Sequence, residues 1–185
     1  MQRKLLIVST SLIVLAFASA ANAQNSTTLN QNGTWNYAEV NQQGIWNNNV
    51  IDLTQYGDGN QVFATQDFLT TNSSITIHQD NGWYWGGNTA RAKQEQISNS
   101  YANLTQSGAD NTLKTYQGYG YNNYIIASQN GLSQSAELNQ WGNNNTIWGT
   151  QQGTSNSIGV TQQGGGNFAH YTQVGSNNTA SIYQH

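Results

Sequence analysis

The sequence predicts an all-β fold: a β-solenoid, cross-β in character, of about seven strand-turn-strand coils building two parallel in-register sheets. Three observations predict it. First, Gln closes a seven-residue segment at fourteen places: Gln31, Gln42, Gln55, Gln66, Gln79, Gln94, Gln106, Gln117, Gln129, Gln140, Gln151, Gln162, Gln173 and Gln184. Each segment opens six residues earlier on Asn25, Asn36, Asn49, Asn60, Ser73, Asn88, Ser100, Asn111, Asn123, Gln134, Asn145, Asn156, Asn167 or Asn178. Second, the apolar residues inside a segment sit two apart, as Ile158 and Val160 do in Asn156-Ser-Ile-Gly-Val-Thr-Gln162. That is the strand period and not the helical one. Third, 7% of the 185 residues are charged and there is no Pro and no Cys, against about a quarter charged in an ordinary domain. Uncharged polar chains either stay disordered or stack, and periodic apolar positions favour stacking.

The elements follow in chain order. Residues 1–23 read as a signal peptide: Arg3 and Lys4, an apolar run from Leu5 to Ala18, then small residues at Ala21-Asn-Ala23. The alternative, a membrane anchor, requires a longer run. Residues 24–185 form the repeat domain, with three cations, Arg91, Lys93 and Lys114, against eight carboxylates. No basic groove for nucleic acid is left. Within the domain, Val62 with Ala64, Ile75 with Ile77, Ile125 with Ala127, Ala136 with Leu138 and Ala180 with Ile182 share the inner face with the openers and closers. Between segments, Gly33, Gly44, Gly57, Gly108, Gly142, Gly153, Gly164 and Gly175 supply the positive dihedrals of tight bends. Steps between closers run from 11 to 15 residues, and the last five are all 11. Extra residues, as in Asp80-Asn-Gly-Trp-Tyr-Trp-Gly-Gly87, fall in turns and leave the inner register intact.

A buried amide is costly unless both its ends are bonded. A column of identical amides on successive strands removes that cost, since each donates to the next and accepts from the last. The closing Gln and opening Asn residues are therefore the expected amide ladder. The first segment starts directly after the leader and the last ends at Gln184, so both ends of the stack are expected to lack a cap.

The spacing resembles the curlin repeat of bacterial curli fibres, Ser-x5-Gln-x-Gly-x-Gly-Asn-x5-Gln. Gln55-Tyr-Gly-Asp-Gly-Asn60 with Gln66, and Gln162-Gln-Gly-Gly-Gly-Asn167 with Gln173, fit its Gln-x-Gly-x-Gly-Asn-x5-Gln portion. Looser copies lie at Gln106/Gly108/Asn111, Gln140/Gly142/Asn145, Gln151/Gly153/Asn156 and Gln173/Gly175/Asn178. Between Gln66 and Gln106 the Gly positions are lost and turns lengthen, which predicts less regular stacking there. The resemblance implies a secreted subunit of extracellular functional amyloid, polymerising at the bacterial cell surface for adhesion and biofilm matrix. It implies self-association into a homopolymer, a nucleator subunit and an outer-membrane export channel as partners, and the bulk role more than that of the minor nucleator. Neither a cofactor nor catalysis is implied.

Other readings are weaker on the residues. Glu39, Asp52, Glu95 and Glu137 form no recurring acid pair for glycoside chemistry. His78, His170 and His185 lack a second ligand at metal spacing. An ice- or surface-binding solenoid would need flat Thr ranks; Thr54, Thr65, Thr105, Thr150, Thr161 and Thr172 supply one. Asp52, Asp58, Asp67, Asp80 and Asp110 are either gatekeepers against premature assembly or solvated turn charges. Trp35, Trp46, Trp83, Trp85 and Trp141 are expected in turns and Trp148 on the outer face. There they bind matrix polysaccharide, pack filaments laterally, or pack within the turns.

Overall fold

The computed structural model describes residues 24–43, 48–67, 69–82 and 84–185, together with the backbone of 12–17. The strands are β1 (Leu12–Phe17), β2 (Ser26–Asn32), β3 (Tyr37–Gln42), β4 (Val50–Tyr56), β5 (Gln61–Asp67), β6 (Ser74–Asp80), β7 (Thr89–Ser98) and β8 (Tyr101–Ala109). They continue as β9 (Thr112–Tyr121), β10 (Tyr124–Leu132), β11 (Ser135–Asn143), β12 (Thr146–Thr154), β13 (Ser157–Gly165), β14 (Phe168–Ser176) and β15 (Thr179–Gln184). No helix occurs among the described residues. Odd-numbered strands form one eight-stranded sheet and even-numbered strands a seven-stranded one, each in chain order. The protein is thus a flattened all-β solenoid of about seven turns.

All pairings are parallel and align like with like. Gln31 stands beside Gln55, Gln55 beside Gln79 and Gln140 beside Gln162. The alternation of the segments explains why. A slip by one residue would turn every Ile and Leu to solvent and every surface Thr inward. The inner faces close on an apolar core in which, over the first coils, large residues of the even sheet meet small ones of the odd sheet; later coils mix large and small on both, as Leu113 and Leu138 show. Ile51, Leu53, Ile75 and Ile77 of the even sheet are fully buried, as are Ala38, Val62 and Ala64 of the odd sheet. Tyr171 takes the inner position of β14, and its ring fills the space over Gly149, where an added Cβ would lie 1.9 Å from it.

Seven of the turn glycines named above, Gly33, Gly57, Gly108, Gly142, Gly153, Gly164 and Gly175, have positive φ. Gly44, with Trp46 and Trp83, lies outside the described residues. At Gly142 the requirement is twofold: φ is +98°, and a Cβ would sit 2.0 Å from the carbonyl oxygen of Gly164 in the next coil. Unforeseen is a second left-handed residue at the corner just before most openers, held by Asn48, Asn72, Asn99, Asp110, Asn122, Ser133, Asn144, Ser155 and Asn177, and by Trp35, Gly59 and Gly166 at three more. Asn, Asp and Ser tolerate that region through local hydrogen bonds.

Two expectations are corrected. Trp141 is not in a turn but in β11, where it stacks on Tyr116 at 5.5 Å between ring centres. The stretch between Gln66 and Gln106 stacks as regularly as the rest, with β5–β7 and β6–β8 in unbroken register. Where Gly is missing, Gln96 takes φ of 51°, and buried Ile97 and Thr70 fill the corner. Backbone bonds Thr71 N to Ile97 O (3.0 Å) and Asn99 N to Thr71 O (3.1 Å) hold the two turns together.

Candidate functional site

The closing Gln residues build two columns along the solenoid axis. In the even sheet, Nε2 donates to the next Oε1 from Gln31 through Gln55, Gln79, Gln106, Gln129 and Gln151 to Gln173, at 2.6–3.0 Å. In the odd sheet the chain runs Gln42, Gln66, Gln94, Gln117, Gln140, Gln162, Gln184 at 2.8–2.9 Å. From Gln42 onward the second N–H of each amide does something the sequence did not suggest. It crosses the core to a backbone carbonyl at the start of a strand in the facing sheet, as Gln106 does to Thr89 O (3.1 Å) and Gln140 to Tyr124 O (3.0 Å). Each such Gln therefore ties coil to coil and sheet to sheet. All are buried except at the ends, where Gln42 and Gln184 are partly exposed.

The opening Asn residues work differently from the Gln columns. Each Oδ1 accepts the backbone N–H of the opener one coil on, as Asn36 does from Asn60 (2.9 Å), Asn123 from Asn145 (3.1 Å) and Asn156 from Asn178 (3.1 Å). Asn25 accepts from Asn49 and Asn145 from Asn167 likewise. Most Nδ2 groups reach a turn carbonyl of the next coil, as Asn88 does to Gly108, Asn111 to Gly131 and Asn123 to Gly142, while Asn60 reaches the Asn81 side chain instead. Ser73 and Ser100 accept in the same way through Oγ, but donate within their own turn, to Thr71 O and Ser98 O, instead of to the next coil. Gln134 is the misfit. Its longer side chain spends Nε2 on Asn130 O and Gly153 O, and its buried Oε1 has no partner among the described residues.

At the C-terminal end the columns are left open. Gln173 Nε2 bonds Ser157 O and Gln184 Nε2 bonds Phe168 O, which leaves each amide a second N–H directed along the axis. At the other end, Gln42 Oε1 takes the hydroxyl of Thr27 at 2.8 Å and keeps a second lone pair. The solenoid thus ends in donors on one side and acceptors on the other. Residues 153–185, which hold this open end, match the family model of the curlin associated repeat. The chain carries the curlin repeat. Among curated proteins nothing matches the chain. The matched segment spans β13 to β15, and the Gln and Asn geometry of these curlin coils is the geometry of the coils before them.

The outer faces differ from each other. Arg91, Lys93 and Lys114 all lie on the odd sheet, on neighbouring strands β7 and β9. Arg91 caps the Phe63 ring at 4.2 Å, and Lys93 pairs with Glu95 at 2.7 Å, a hydrogen bond that raises its pKa. Burial pushes the Tyr116 hydroxyl up to about 12. On the even sheet β10, β12 and β14 present Tyr124, Ile126, Trp148 and Phe168, all exposed. The three histidines each pack on an aromatic ring: His78 on Tyr56, His170 on Trp148 and His185 on Tyr183. The Thr rank is divided between faces. Thr54, Thr105, Thr150 and Thr172 line the even sheet, broken by His78 and Ser128, while Thr65 and Thr161 are on the odd one. Among the described residues neither face carries a flat Thr array.

Proposed function

We propose that this protein is the structural subunit of an extracellular amyloid fibre, polymerising head to tail at the bacterial cell surface for adhesion and biofilm matrix. The observation that carries this reading is the polarity of the open columns. Gln184 offers an N–H donor where the next subunit's Gln42 offers a carbonyl lone pair, Gln173 stands in line with the next subunit's Gln31, and Asn167 and Asn178 stand where they accept from the next subunit's Asn25 and Asn36. Docking by these contacts repeats the intramolecular register and never closes, so it makes a filament. Two like ends would set donor against donor. The regular coil at the C-terminal end favours the bulk subunit over a nucleator, since it extends the lattice without a change of geometry. A nucleator and an export channel are the partners this role requires.

Residues 1–23 act in this reading as a removable leader. In the full chain β1 occupies the edge of β3, Leu12 beside Tyr37 through Phe17 beside Gln42. That is the six-residue register that β15 of a preceding subunit would take, to judge from Thr179–Gln184 on β13. The test follows thioflavin fluorescence and fibre diffraction of residues 24–185 beside the full chain. Residues 24–185 are expected to form fibres with a meridional reflection near about 4.7 Å, and the full chain to lag. Soluble monomer after days at micromolar concentration contradicts the reading.

A further inference from the structure

One turn row interrupts the repeat in a way the ladder does not require. Between β6 and β7 the chain inserts residues 81–88, and in the same row one and two coils earlier stand Asp58 and Trp35. Together Thr34, Trp35, Asp58, Tyr84 and Trp85 border a half-open cleft of about 520 Å³, floored by glycines. The volume is within the range of about 300–1,000 Å³ usual for small-molecule sites. Trp35 is 84% and Trp85 98% exposed, so packing within the turns, the bland expectation for these two rings, does not describe them. Trp35 is also strained. Its φ of 61° is that of the corner slot held elsewhere by Asn, Asp, Ser or Gly, a conformation that costs a bulky residue energy.

The polar part of the cleft is rigid. Asp58 Oδ1 accepts from Thr34 N (2.6 Å) and Thr34 Oγ1 (2.8 Å); the backbone bond first, then the hydroxyl, holds its carboxyl below the ordinary range. Asp58 is an exposed residue, and its Oδ2 makes no hydrogen bond to the described residues. Buried Asn81 clamps the two turns, accepting from Asp58 N (2.9 Å) and donating to Gly86 O (2.8 Å). A Cβ on Gly87 would strike Gly59 O at 1.8 Å, so the floor is backbone packed on backbone.

We infer that this cleft binds a neutral glycan chain, with Trp35 and Trp85 as platforms for pyranose C–H faces and the Asp58 carboxylate accepting sugar hydroxyls. Flat, electron-rich indole faces and one fixed acceptor suit a ring whose two sides are C–H and whose rim is hydroxyl. An anionic polysaccharide is repelled by Asp58 and by the net negative repeat domain. A small quaternary cation requires rings that enclose it, and a ring 98% exposed encloses nothing. Insertions in solenoids characteristically map to the binding face. In a filament the site recurs once per subunit, which multiplies weak single contacts into firm attachment.

The test titrates residues 24–185, as filaments and as freshly purified monomer, with maltohexaose, cellohexaose, polygalacturonate and tetramethylammonium. Calorimetry and tryptophan fluorescence are the readouts. Binding of a neutral hexasaccharide is expected, weakened by about tenfold or more in Trp85→Ala and Trp35→Gly, as for aromatic anchors generally, and unchanged in Trp148→Ala. Thioflavin fluorescence on the same samples reports assembly separately, so a chain that fails to polymerise still answers the glycan question as monomer. Absence of neutral-glycan binding, equal binding by the two variants, or preference for polygalacturonate or tetramethylammonium overturns the inference.

Discussion

The C-terminal coils, from Gln129 onward, advance by 11 residues at every step, whereas the coils before Gln106 advance by 11 to 15. Inside, the two regions are the same: the Gln79–Gln106 bond is 2.8 Å and the Gln129–Gln151 bond 2.8 Å. Outside they differ in part. Regular coils turn on Gly whose carbonyl serves the opener of the coil before, and the irregular region keeps that device at Gly57, which serves Asn36, but elsewhere turns on Thr70, Ile97 or the Trp-bearing loop. Register in this solenoid is therefore held by the amide columns and the period-two core, not by turn length. Turns are free to vary, and the longest one carries the candidate glycan cleft.

That comparison breaks most easily at the glycines. Gly142→Ala should destabilise the regular half by about 2 kcal/mol or more, since a positive φ and a carbonyl collision combine; denaturant unfolding reads it. Gly82→Ala, where nothing lies within 4 Å and φ is 54°, should cost about 1 kcal/mol or less. Equal losses would show that turn geometry matters alike in both regions. A smaller effect of opposite sign belongs to Gln134. Gln134→Asn gives the corner an Oδ1 placed to accept Asn156 N–H and removes a buried orphan oxygen, so stability should rise by about 1 kcal/mol. A loss on that substitution would mean that the long side chain is needed to reach Gly153.

The smallest effect concerns the last coil alone. Burial raises the pKa of Tyr171, and its hydroxyl has no partner among the described residues. A group whose folded value is raised contributes stability fully below its unfolded value, about 10 for Tyr, and loses it as pH rises. Hydrogen exchange should accordingly show β14 loosening above about pH 10, while coils lacking an inner Tyr hold. Tyr171→Phe should abolish that difference.

Much of this was legible beforehand because the repeat reports one environment many times over. Ile75 and Ile77, two apart between Ser73 and Gln79, could face only inward, and Gly108 marked a bend by its freedom of φ. The cross-core bond of each Gln was not legible, because sequence shows that an amide is buried but not where its second N–H points. Nor was the separate role of Asn, whose Oδ1 accepts the backbone N–H of the next opener and whose amides, among the described residues, bond one another only at Asn88–Asn111 and Asn156–Asn178. Asn81 and Ile97 were hidden because each occurs once. Trp141 looked like a turn residue because Gly142 follows it, yet β11 runs on through that glycine to Asn143.

The central claim is that subunits join by continuing the Gln columns. The direct measurement is the assembly lag of Gln162→Leu with Gln184→Leu, which keeps approximate size and removes the amides, each orphaned partner costing about 1–3 kcal/mol. The comparison is Thr161→Ser with Tyr183→Phe, which alters the outer face alone. The lag should lengthen markedly for the first pair and stay close to that of the unaltered chain for the second. Equal lags in both would contradict the claim.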